Sequence, residues 1–181
     1  METKIIYFVH GTTTDNADKL CSGWKEAMLN DLGREQASNL GKTSRERNDK
    51  FDIMFTSDLK RAIESSNIAF PEIKKITDNR LRECNYGELD GKHKNFVKYE
   101  EHINESFPEG ESLKDVEKRV REFINFIKKE YPGKTIGIVA HRAPQLALEV
   151  ILNNLSWEEA IEKDWRKTGD WQPGWEYIIK E

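Results

Sequence analysis

Two cysteines, Cys21 and Cys84, are too few for a disulfide framework, and neither lies in a Cys-x-x-Cys or Cys/His metal spacing. Both are expected to be reduced thiols, and no metal is expected. Long apolar runs are missing too: none approaches the ~20 residues of a membrane span, so no membrane is expected as a partner. Basic residues are not in excess, with 29 Lys and Arg against 33 Asp and Glu, for a net charge of −4. That balance lacks the basic face of a nucleic-acid binder, although a local group of cations can still hold a small anion. There is no internal repeat, low-complexity stretch or linker. Met1-Glu-Thr-Lys leads straight into a strand-like run, which leaves no signal peptide and makes a cytoplasmic location the expectation.

What is present suits one domain over residues 1–181. Hydrophobic residues make up 36% and charged residues 34%, so a modest core is wrapped in a very polar surface. Lys4–Val9 is a β-branched and aromatic run without alternation, as in a strand buried on both faces. Phe51–Thr56 reads similarly, Thr135–Ala140 strongly so, and Ile73–Ile76 and Glu176–Ile179 add a short strand and an edge strand.

Helices fit between these strands. Leu113, Val116, Val120, Phe123, Ile124 and Ile127 recur at helical spacing, Ser112 with Asp115 resembles a capping box, and Pro132-Gly133 closes the segment. Arg142–Asn153 is a second helix, with Pro144 confined to its first turn. A third follows Ser57. A fourth, from Leu32 to about Arg47, is polar and expected on the surface. Alternating strands and helices predict an α/β fold, a three-layer α/β/α sandwich around a mostly parallel sheet. Residues 84–111 read as an irregular insertion or lid.

Ligands of open parallel sheets bind at the carboxyl ends of the strands. Three of the predicted strands end in useful residues: Val9-His10-Gly11-Thr12-Thr13, Thr56-Ser57 leading to Arg61, and Ala140-His141-Arg142. Taken singly, each has an ordinary structural reading, as a strand-end histidine or a surface helix charge. Their coincidence at equivalent strand ends points to an anion site. Gly11 is expected to allow close approach of backbone to a ligand. The start of the helix at Arg142 is expected to aim N–H donors at an anion.

Six ordered segments resemble the histidine phosphatase (phosphoglycerate-mutase-like) superfamily. They are Val9-His10-Gly11-Thr12-Thr13 with Asn16; Gly23-Trp24 with Leu29, Gly33 and Gln36-Ala37; Ser57-Asp58-Leu59-Lys60-Arg61-Ala62; Leu81, Glu83, Gly87, Asp90 and Gly91; Pro108-Glu109-Gly110-Glu111-Ser112; and Val139-Ala140-His141. The resemblance implies a phosphoglycerate-mutase-like fold and a phosphatase of small phosphorylated metabolites that needs no cofactor. His10 would take up the phosphoryl group, Arg61 and His141 would stabilise it, and Glu83 would serve as acid and base. Gly11, Thr12, Thr13, Asn16, Ser22 and Gly23 would line the phosphate site. The chain departs from the family at Val9, which stands where the family has the arginine of Arg-His-Gly. Either another cation replaces it, with Arg142 the expected substitute, or the chain binds a phosphorylated ligand without turnover. A third alternative is a mutase; the short chain favours hydrolysis over it. His93 with Lys92, Lys94 and Lys98 would attract an anionic substrate or form a solvated charge run. Trp165, Trp171 and Trp175 would cover the core edge; Trp171, if it lines the pocket, would point to a ring-bearing ester. Oligomeric state is left open between monomer and homodimer.

Overall fold

The structure is a computed structural model that describes residues 2–170 and 172–180. Five strands, β1 (Thr3–Val9), β2 (Ile53–Thr56), β3 (Lys75–Thr77), β4 (Thr135–Ala140) and β5 (Trp175–Ile179), form one sheet in the order β3-β2-β4-β1-β5. The first four in that order run parallel, and β5 runs antiparallel along β1 at the edge. The helices are α1 (Thr14–Ala17), α2 (Asp31–Glu46), α3 (Lys60–Ala69), α4 (Leu113–Glu130), α5 (Arg142–Leu152), α6 (Trp157–Glu162) and α7 (Trp165–Thr168).

Strand side chains alternate between two cores, as the two-residue period of a strand requires. Ile5 and Tyr7 of β1, Phe55 of β2, and Ile136 and Ile138 of β4 bury against α4, α5 and α6. Ile6, Phe8, Met54 and Val139 face the other way, toward Leu40 of α2 and Ala69 of α3. Burial on both faces is why these strands show no hydrophobic alternation in sequence. The sandwich is thus three-layered and mostly parallel, as expected.

Boundaries moved where the sequence signal was local. The second strand starts at Ile53 rather than Phe51, and Asp52 just before it accepts the Thr135 N–H at 2.8 Å. The third strand lies at Lys75–Thr77, two residues later than read, because its register against Met54–Thr56 selects those residues. The capping box of α4 forms, with Ser112 Oγ accepting from Asp115 N and the Asp115 carboxylate accepting from Ser112 N. The sequence reading contains no counterpart of α6 and α7; α6 buries Trp157, Ala160 and Ile161 at helical spacing behind a Ser156–Glu159 capping box, and the four-residue α7 is capped by Asp164. Residues 84–111 contain only 3₁₀ turns, yet Tyr86, Tyr99 and Phe107 are buried in the larger core.

The polar helix α2 is the main correction. It is not merely surface-bound: Gly33, Ala37, Gly41 and Ser44 form a buried stripe of small residues. A Cβ on Gly33 would stand 2.0 Å from the Thr12 carbonyl oxygen, and one on Gly41 would stand 2.1 Å from the Ala69 carbonyl oxygen. The helix packs by backbone approach rather than by large apolar side chains, so an apolar period does not reveal its buried face.

Two alanine substitutions on this helix should therefore have opposite signs. Gly41→Ala adds the better helix former, worth about 1 kcal/mol, but drives a methyl into fixed backbone. The clash should win, with a net loss of ~1–3 kcal/mol in urea unfolding. Ser38→Ala, on the exposed face, should be neutral or gain a few tenths of a kcal/mol. Equal effects would refute backbone packing of α2.

Candidate active site

The parallel register builds the site. Val9 of β1 pairs with Ala140 of β4, so the next residues, His10 and His141, leave adjacent strands at the same level. Thr56 of β2 pairs with Val139, and Ser57 N donates to Val139 O at 3.2 Å, so α3 starts beside them and brings Arg61 in. The imidazoles of His10 and His141 lie edge to face, with ring centres 5.0 Å apart. Together with Arg61 and Glu83 they line a cavity of about 780 Å³.

His10 Nδ1 is 2.7 Å from the Gly11 carbonyl oxygen. A carbonyl only accepts, so Nδ1 carries the proton and Nε2 is left with a free lone pair. Removal from water, then the charge of Arg61, lower the His10 pKa to about 3, so the ring is neutral near pH 7. His141 is fully buried, and neither ring nitrogen has a partner among the described residues. Burial, then Arg61 and His10, hold its pKa well below the ordinary value. An unpaired buried polar group is costly, and this one faces the cavity. Tyr7 fixes its backbone: the phenol donates to His141 O at 2.6 Å and accepts from His141 N at 3.0 Å.

Arg61 is buried, and its two terminal nitrogens donate to Lys25 O at 3.0 Å and Gly23 O at 2.7 Å. It therefore ties the 22–26 loop to the cavity while keeping further N–H groups. Gly23 has φ +50, and a Cβ there would collide with the Asp90 carboxylate; Ser22 Oγ donates to Asp15 Oδ2 at 2.9 Å.

Glu83 is also buried. Its Oε1 accepts from Cys84 N and Ala143 N, both at 2.9 Å, and Oε2 accepts only from Arg142 N, at 3.2 Å. Arg119 of α4 braces this segment by donating to the carbonyls of Arg80, Arg82 and Glu83 and to the Glu111 carboxylate.

Several expected contacts fall elsewhere. The donors at the start of α5 serve the Glu83 carboxylate, not an incoming anion, which suits the dipole equally well. Gly11 and Thr12 line the cavity as expected, and Gly11 also allows close backbone approach to α2, where a Cβ would stand 2.2 Å from Gly33 O. Thr12 N and Oγ1 both donate to Gln36 Oε1. Thr13 is buried outside the cavity and caps α1, exchanging hydrogen bonds with Asn16. Asn16, Ser22 and Gly23 line the cavity. Arg142 lines it as well, with Nε on Asp164 Oδ2 at 2.6 Å and its guanidinium 4.2 Å over the Tyr99 ring. Lys94 lines the cavity, whereas Lys98 pairs with Glu101 at the surface. Trp165 and Trp175 stack on each other at 5.6 Å and border the cavity; Trp171 lies outside the described residues. Reading the sequence missed Arg166, which also lines the cavity and pairs with Asp164 at 3.0 Å. Its signal is faint, a charge two residues after a capping Asp. Among the described residues no group of three or more His, Cys, Asp or Glu could hold a metal ion.

The depressed histidines contribute to the pH dependence of stability. A neutral folded His141 binds no proton where the unfolded chain, with pKa near 6.5, does. Its contribution is complete above that value and is lost as pH falls, by up to about 1.4 kcal/mol per unit; His10 acts in the same direction down to about 3. His141→Asn should therefore lose less stability than the natural chain between pH 7 and pH 5 in urea titrations. Parallel losses would contradict a neutral buried His141.

The sequence matches the family model described as histidine phosphatase superfamily (branch 1) over residues 6–172. It is 31% identical over 183 residues to the 2,3-bisphosphoglycerate-dependent phosphoglycerate mutase of Chelativorans sp., covering 91% of this chain and 88% of that one. The fold superposes on YhfR of Bacillus stearothermophilus with a TM-score of 0.76 and 26% identity, covering 87% of this chain and 83% of that one. It also superposes on a mycobacterial glucosyl-3-phosphoglycerate phosphatase in complex with VO3, with a TM-score of 0.74 at 24% identity and coverage of 87% and 85%. With its strand-end histidines at one cavity and this match along nearly its whole length, the chain belongs to the histidine phosphatase superfamily.

Proposed function

We propose that the chain is a phosphomonoesterase that works through a phosphohistidine on His10. The observation that carries this reading is the pair of neutral imidazoles 5.0 Å apart beside a buried arginine, one of them with both nitrogens unpartnered among the described residues.

The chemistry follows from the geometry. The Nε2 lone pair of His10 attacks phosphorus, the bond from phosphorus to the ester oxygen breaks, and Glu83 gives its proton to the departing oxygen. Gly11 O holds the Nδ1 proton of the resulting cationic ring. Arg61 and His141 offer N–H groups to the phosphoryl oxygens, where charge develops. Water then attacks phosphorus and passes a proton to Glu83, and the bond from phosphorus to Nε2 breaks, releasing phosphate and restoring neutral His10. Glu83 Oε2, with only the Arg142 amide at 3.2 Å, is the oxygen suited to exchange that proton.

A mutase is the second reading, favoured by the named activity of the Chelativorans relative. The expectation that a mutase would have a longer chain carries little weight, because the match covers 88% of that relative. A mutase must keep water off its phosphohistidine while the substrate turns over, whereas a hydrolase must admit it.

With p-nitrophenyl phosphate, His10→Ala should abolish turnover and Arg61→Gln should reduce it ~10²–10³-fold. Lys60→Ala, on the exposed start of α3, should change it little. With 3-phosphoglycerate, release of inorganic phosphate supports the hydrolase, and formation of the 2-isomer without phosphate release supports the mutase. Unchanged turnover in His10→Ala would sink both.

A further inference from the structure

The phosphoryl pocket has an unbalanced charge that the reading above leaves without a use. Three guanidinium groups line the cavity, those of Arg61, Arg142 and Arg166, against two carboxylates, those of Glu83 and Asp164. The Glu83 charge rests on the first amides of α5. Asp164 is buried and shared: Oδ2 takes Arg142 Nε at 2.6 Å, and Oδ1 takes Arg166 Nη1 at 3.0 Å. Burial pushes the Asp164 carboxyl up, and Arg166 and then Arg142 more than offset this, so it stays ionised. A cluster of two guanidinium groups on one carboxylate keeps one positive charge to spare beside two neutral imidazoles.

The two arginines are held alike: each pairs with Asp164 and lies over an aromatic ring, Arg142 over Tyr99 and Arg166 over Trp165, and Arg166 Nη1 also lies 3.5 Å from Gln145 Oε1. Each keeps two guanidinium nitrogens with no partner among the described residues, Nη1 and Nη2 of Arg142 and Nε and Nη2 of Arg166. What sets Arg166 apart is that its charge bears on both histidines and helps keep them unprotonated. At the end of β1, Val9 offers no cation.

Resting on the phosphatase reading, we propose that Arg166, brought in by α7 from the tail of the chain, is the second cation that binds the phosphoryl group, with Asp164 as its positioning residue. The tail thereby supplies a charge that the first strand lacks. A phosphomonoester dianion then meets Arg61 from the α3 side and Arg166 from the α7 side, with the His10 nitrogen free between them. A guanidinium fork suits this task because it gives two parallel N–H groups to two oxygens.

The test is orthovanadate binding by isothermal titration calorimetry, alongside turnover of p-nitrophenyl phosphate, with thermal unfolding run on each variant. Arg166→Gln should weaken vanadate binding and lower turnover by about 10²-fold; Arg142→Gln should have a much smaller effect. The double variant Asp164→Asn/Arg166→Gln leaves no buried carboxylate short of a partner and keeps the charge of the cluster unchanged. It should still bind vanadate as weakly as Arg166→Gln. Natural affinity in the double variant would show that any spare cation suffices and would overturn the assignment. Loss of binding in Arg61→Gln with natural affinity in Arg166→Gln would overturn this inference while leaving the phosphatase reading intact. Natural affinity in Arg61→Gln and His10→Ala as well would remove both.

Discussion

The parallel pairing of β1 with β4 is the constraint on which the rest of this molecule depends. Val9 opposite Ala140 places two histidines, 131 positions apart in the chain, at one level on neighbouring strands. A slip of one residue would send every side chain of the strand to the other face. That slip is opposed by both cores at once, because Ile5 and Tyr7 need one face and Ile6 and Phe8 the other. Tyr7 adds a direct tie, with its phenol bridging the N–H and C=O of His141. Core packing and site geometry are thus the same interaction seen at two places along β1.

Around that register the charges are arranged for an anion.

Results

Sequence analysis

Two cysteines, Cys21 and Cys84, are too few for a disulfide framework, and neither lies in a Cys-x-x-Cys or Cys/His metal spacing. Both are expected to be reduced thiols, and no metal is expected. Long apolar runs are missing too. None approaches the ~20 residues of a membrane span, so no membrane is expected as a partner. Basic residues are not in excess, with 29 Lys and Arg against 33 Asp and Glu, for a net charge of −4. That balance lacks the basic face of a nucleic-acid binder, although a local group of cations can still hold a small anion. There is no internal repeat, low-complexity stretch or linker. Met1-Glu-Thr-Lys leads straight into a strand-like run, so no signal peptide is expected and a cytoplasmic location is.

What is present suits one domain over residues 1–181. Hydrophobic residues make up 36% and charged residues 34%, so the core is wrapped in a very polar surface. Lys4–Val9 is a β-branched and aromatic run without alternation, as in a strand buried on both faces. Phe51–Thr56 reads similarly and Thr135–Ala140 strongly so. Ile73–Ile76 and Glu176–Ile179 add a short strand and an edge strand.

Helices fit between these strands. Leu113, Val116, Val120, Phe123, Ile124 and Ile127 recur at helical spacing, Ser112 with Asp115 resembles a capping box, and Pro132-Gly133 closes the segment. Arg142–Asn153 is a second helix, with Pro144 confined to its first turn. A third follows Ser57. A fourth, from Leu32 to about Arg47, is polar and expected on the surface. Alternating strands and helices predict an α/β fold, a three-layer α/β/α sandwich around a mostly parallel sheet. Residues 84–111 read as an irregular insertion or lid.

Ligands of open parallel sheets bind at the carboxyl ends of the strands. Three of the predicted strands end in chemically useful residues: Val9-His10-Gly11-Thr12-Thr13, Thr56-Ser57 leading to Arg61, and Ala140-His141-Arg142. Taken singly, each has an ordinary structural reading, as a strand-end histidine or a surface helix charge. Their coincidence at equivalent strand ends points to an anion site. Gly11 is expected to allow close approach of backbone to a ligand. The start of the helix at Arg142 is expected to aim N–H donors at an anion.

Six ordered segments resemble the histidine phosphatase (phosphoglycerate-mutase-like) superfamily. They are Val9-His10-Gly11-Thr12-Thr13 with Asn16; Gly23-Trp24 with Leu29, Gly33 and Gln36-Ala37; Ser57-Asp58-Leu59-Lys60-Arg61-Ala62; Leu81, Glu83, Gly87, Asp90 and Gly91; Pro108-Glu109-Gly110-Glu111-Ser112; and Val139-Ala140-His141. The resemblance implies a phosphoglycerate-mutase-like fold and a phosphatase of small phosphorylated metabolites with no cofactor. His10 would take up the phosphoryl group, Arg61 and His141 would stabilise it, and Glu83 would serve as acid and base. Gly11, Thr12, Thr13, Asn16, Ser22 and Gly23 would line the phosphate site. The chain departs from the family at Val9, which stands where the family has the arginine of Arg-His-Gly. Either another cation replaces it, with Arg142 the expected substitute, or the chain binds a phosphorylated ligand without turnover. A third alternative is a mutase, over which the short chain favours hydrolysis. His93 with Lys92, Lys94 and Lys98 would attract an anionic substrate or form a solvated charge run. Trp165, Trp171 and Trp175 would cover the core edge; Trp171, if it lines the pocket, would point to a ring-bearing ester. Oligomeric state is left open between monomer and homodimer.

Overall fold

The structure is a computed structural model that describes residues 2–170 and 172–180. Five strands, β1 (Thr3–Val9), β2 (Ile53–Thr56), β3 (Lys75–Thr77), β4 (Thr135–Ala140) and β5 (Trp175–Ile179), form one sheet in the order β3-β2-β4-β1-β5. The first four in that order run parallel, and β5 runs antiparallel along β1 at the edge. The helices are α1 (Thr14–Ala17), α2 (Asp31–Glu46), α3 (Lys60–Ala69), α4 (Leu113–Glu130), α5 (Arg142–Leu152), α6 (Trp157–Glu162) and α7 (Trp165–Thr168).

Strand side chains alternate between two cores, as the two-residue period of a strand requires. Ile5 and Tyr7 of β1, Phe55 of β2, and Ile136 and Ile138 of β4 bury against α4, α5 and α6. Ile6, Phe8, Met54 and Val139 face the other way, toward Leu40 of α2 and Ala69 of α3. Burial on both faces is why these strands show no hydrophobic alternation in sequence. The sandwich is three-layered and mostly parallel, as expected.

Boundaries differ where the sequence signal is local. β2 starts at Ile53 rather than Phe51, and Asp52 just before it accepts the Thr135 N–H at 2.8 Å. β3 starts at Lys75 rather than Ile73, because its register against Met54–Thr56 selects those residues. The capping box of α4 forms, with Ser112 Oγ accepting from Asp115 N and the Asp115 carboxylate accepting from Ser112 N. The sequence reading contains no counterpart of α6 and α7; α6 buries Trp157, Ala160 and Ile161 at helical spacing behind a Ser156–Glu159 capping box, and the four-residue α7 is capped by Asp164. Residues 84–111 contain only 3₁₀ turns, yet Tyr86, Tyr99 and Phe107 are buried in the larger core.

The polar helix α2 is the main correction. It is not merely on the surface: Gly33, Ala37, Gly41 and Ser44 form a buried stripe of small residues. A Cβ on Gly33 would stand 2.0 Å from the Thr12 carbonyl oxygen, and one on Gly41 would stand 2.1 Å from the Ala69 carbonyl oxygen. The helix packs by backbone approach rather than by large apolar side chains, so an apolar period does not reveal its buried face.

Two alanine substitutions on this helix should therefore behave differently. Gly41→Ala adds the better helix former, worth about 1 kcal/mol, but drives a methyl into backbone. The clash should win, with a net loss of ~1–3 kcal/mol in urea unfolding. Ser38→Ala, on the exposed face, should be neutral or gain a few tenths of a kcal/mol, about what helix propensity supplies. Equal effects would refute backbone packing of α2.

Candidate active site

The parallel register builds the site. Val9 of β1 pairs with Ala140 of β4, so the next residues, His10 and His141, leave adjacent strands at the same level. Thr56 of β2 pairs with Val139, and Ser57 N donates to Val139 O at 3.2 Å, so α3 starts beside them and brings Arg61 in. The imidazoles of His10 and His141 lie edge to face, with ring centres 5.0 Å apart. Together with Arg61 and Glu83 they line a cavity of about 780 Å³.

His10 Nδ1 is 2.7 Å from the Gly11 carbonyl oxygen. A carbonyl only accepts, so Nδ1 carries the proton and Nε2 is left with a free lone pair. Removal from water, then the charge of Arg61, lower the His10 pKa to about 3, so the ring is neutral at neutral pH. His141 is fully buried, and neither ring nitrogen has a partner among the described residues. Burial, then Arg61 and His10, hold its pKa well below the ordinary value. An unpaired buried polar group is costly, and this one borders the cavity. Tyr7 fixes its backbone: the phenol donates to His141 O at 2.6 Å and accepts from His141 N at 3.0 Å.

Arg61 is buried, and its two terminal nitrogens donate to Lys25 O at 3.0 Å and Gly23 O at 2.7 Å. It therefore ties the 22–26 loop to the cavity while keeping further N–H groups. Gly23 has φ +50, and a Cβ there would collide with the Asp90 carboxylate. Ser22 Oγ donates to Asp15 Oδ2 at 2.9 Å.

Glu83 is also buried. Its Oε1 accepts from Cys84 N and Ala143 N, both at 2.9 Å, and Oε2 accepts from Arg142 N at 3.2 Å. Arg119 of α4 braces this segment by donating to the carbonyls of Arg80, Arg82 and Glu83 and to the Glu111 carboxylate.

Several expected contacts fall elsewhere. The donors at the start of α5 serve the Glu83 carboxylate, not an incoming anion; the helix dipole favours that charge too. Gly11 and Thr12 line the cavity as expected, and Gly11 also allows close backbone approach to α2, where a Cβ would stand 2.2 Å from Gly33 O. Thr12 N and Oγ1 both donate to Gln36 Oε1. Thr13 is buried off the cavity wall and caps α1, exchanging hydrogen bonds with Asn16. Asn16, Ser22 and Gly23 line the cavity. Arg142 lines it as well, with Nε on Asp164 Oδ2 at 2.6 Å and its guanidinium 4.2 Å over the Tyr99 ring. Lys94 borders the cavity, whereas Lys98 pairs with Glu101 at the surface. Trp165 and Trp175 stack on each other at 5.6 Å and border the cavity; Trp171 lies outside the described residues. The sequence reading does not single out Arg166, which also lines the cavity and pairs with Asp164 at 3.0 Å. Its signal is faint, a charge just after a capping Asp. Among the described residues no group of three or more His, Cys, Asp or Glu is placed to hold a metal ion.

The depressed histidines contribute to the pH dependence of stability. A neutral folded His141 binds no proton where the unfolded chain, with a pKa of about 6.5, does. Its contribution is complete above that value and is lost as pH falls, by up to about 1.4 kcal/mol per unit. His10 acts in the same direction down to about 3. His141→Asn should therefore lose less stability than the unsubstituted chain when urea titrations are moved from neutral pH to about pH 5. Parallel losses would contradict a neutral buried His141.

The sequence matches the family model described as histidine phosphatase superfamily (branch 1) over residues 6–172. It is 31% identical over 183 residues to the 2,3-bisphosphoglycerate-dependent phosphoglycerate mutase of Chelativorans sp., covering 91% of this chain and 88% of that one. The fold superposes on YhfR of Bacillus stearothermophilus with a TM-score of 0.76 and 26% identity, covering 87% of this chain and 83% of that one. It also superposes on a mycobacterial glucosyl-3-phosphoglycerate phosphatase in complex with VO3, with a TM-score of 0.74, 24% identity and coverage of 87% and 85%. With its strand-end histidines at one cavity and a family match along nearly its whole length, the chain belongs to the histidine phosphatase superfamily.

Proposed function

We propose that the chain is a phosphomonoesterase that works through a phosphohistidine on His10. The observation that supports this reading is the pair of neutral imidazoles 5.0 Å apart beside a buried arginine, one of them with both nitrogens unpartnered among the described residues.

The Nε2 lone pair of His10 attacks phosphorus, the bond from phosphorus to the ester oxygen breaks, and Glu83 gives its proton to the departing oxygen. Gly11 O holds the Nδ1 proton of the resulting cationic ring. Arg61 and His141 offer N–H groups to the phosphoryl oxygens, where charge develops. Water then attacks phosphorus and passes a proton to Glu83, and the bond from phosphorus to Nε2 breaks, releasing phosphate and restoring neutral His10. Glu83 Oε2, held by the Arg142 amide at 3.2 Å, is the oxygen suited to exchange that proton.

A mutase is the second reading, favoured by the named activity of the Chelativorans relative. The expectation that a mutase would have a longer chain carries little weight, because the match covers 88% of that relative. A mutase must keep water off its phosphohistidine while the substrate turns around, whereas a hydrolase must admit it.

With p-nitrophenyl phosphate, His10→Ala should abolish turnover and Arg61→Gln should reduce it ~10²–10³-fold. Lys60→Ala, on the exposed start of α3, should change it little. With 3-phosphoglycerate, release of inorganic phosphate supports the hydrolase, and formation of the 2-isomer without phosphate release supports the mutase. Unchanged turnover in His10→Ala would sink both.

A further inference from the structure

The cavity wall carries a surplus of positive charge. Three guanidinium groups line it, those of Arg61, Arg142 and Arg166. The Glu83 carboxylate rests on the first amides of α5. Asp164 is buried and shared: Oδ2 takes Arg142 Nε at 2.6 Å, and Oδ1 takes Arg166 Nη1 at 3.0 Å. Burial pushes the Asp164 carboxyl up, and Arg166 and then Arg142 more than offset this, so it stays ionised. Two guanidinium groups on one carboxylate leave one positive charge to spare beside two neutral imidazoles.

The two arginines are held alike: each pairs with Asp164 and lies over an aromatic ring, Arg142 over Tyr99 and Arg166 over Trp165, and Arg166 Nη1 also lies 3.5 Å from Gln145 Oε1. Each keeps two guanidinium nitrogens with no partner among the described residues, Nη1 and Nη2 of Arg142 and Nε and Nη2 of Arg166. What sets Arg166 apart is that its charge bears on both histidines and helps keep them unprotonated. At the end of β1, Val9 offers no cation.

Resting on the phosphatase reading, we propose that Arg166, brought in by α7 from the tail of the chain, is the second cation that binds the phosphoryl group, with Asp164 as its positioning residue. The tail thereby supplies a charge that the first strand lacks. A phosphomonoester dianion meets Arg61 from α3 and Arg166 from α7, while the free nitrogen of His10 faces phosphorus. A guanidinium fork suits this task because it gives two parallel N–H groups to two oxygens.

The test is orthovanadate binding by isothermal titration calorimetry, alongside turnover of p-nitrophenyl phosphate, with thermal unfolding run on each variant. Arg166→Gln should weaken vanadate binding and lower turnover by about 10²-fold; Arg142→Gln should have a much smaller effect. The double variant Asp164→Asn/Arg166→Gln guards against misfolding, because it leaves no buried carboxylate short of a partner and keeps the charge of the cluster unchanged. It should still bind vanadate as weakly as Arg166→Gln. Unaltered affinity in the double variant would show that any spare cation suffices and would overturn the assignment. Loss of binding in Arg61→Gln with unaltered affinity in Arg166→Gln would overturn this inference while leaving the phosphatase reading intact. Unaltered affinity in Arg61→Gln and His10→Ala as well would remove both.

Discussion

The parallel pairing of β1 with β4 is the constraint on which the rest of this molecule depends. Val9 opposite Ala140 places two histidines from opposite ends of the chain at one level on neighbouring strands. A slip of one residue would send every side chain of the strand to the other face. Both cores oppose that slip at once, because Ile5 and Tyr7 need one face and Ile6 and Phe8 the other. Tyr7 adds a direct tie, with its phenol bridging the N–H and C=O of His141. Core packing and site geometry meet in the same strand.

Around that register the charges are arranged for an anion. Removal from water keeps both imidazoles neutral, and the Arg61 charge reinforces this from a fork anchored on the carbonyls of Gly23 and Lys25. Neutral histidines cost the fold less when buried than charged ones would, and a neutral ring nitrogen is also the form that can attack phosphorus. The carboxylates are kept from cancelling the site: Glu83 lies on the α5 amides, and Asp164 is shared by Arg142 and Arg166. For the two histidines, stability and chemistry therefore ask for the same protonation state.

Much of this was legible in the order of residues. The strands β1, β2 and β4 are short apolar runs, and each is followed directly by a polar residue, His10, Ser57 or His141, so both the sheet and the strand-end position of the histidines follow from pattern alone. The helix α4 announces itself by an apolar stripe and a capping box. The buried side of α2 does not, because it is made of glycine, alanine and serine, whose role is to be small where backbones touch. The same blindness applies to Gly11, whose close neighbour is Gly33 O of α2. Glu83 is recognisable by its motif, but its seat on α5 depends on Arg119 reaching three carbonyls from another helix.

By itself, the sequence determined what is periodic or covalently local: alternating elements, caps, and the residue at each strand end. Those depend on neighbours within a turn or two of chain, where spacing is geometry. Only the tertiary structure decided which donors are already spoken for and which charges share a partner. Thr12 is taken up by Gln36, the α5 amides by Glu83, and Arg142 by Asp164 and Tyr99, whereas Arg166 arrives at the cavity from the tail. Such assignments follow from contacts across the whole chain, since hydrogen bonds and ion pairs form with whatever folding brings within a few ångströms, and no local pattern records that.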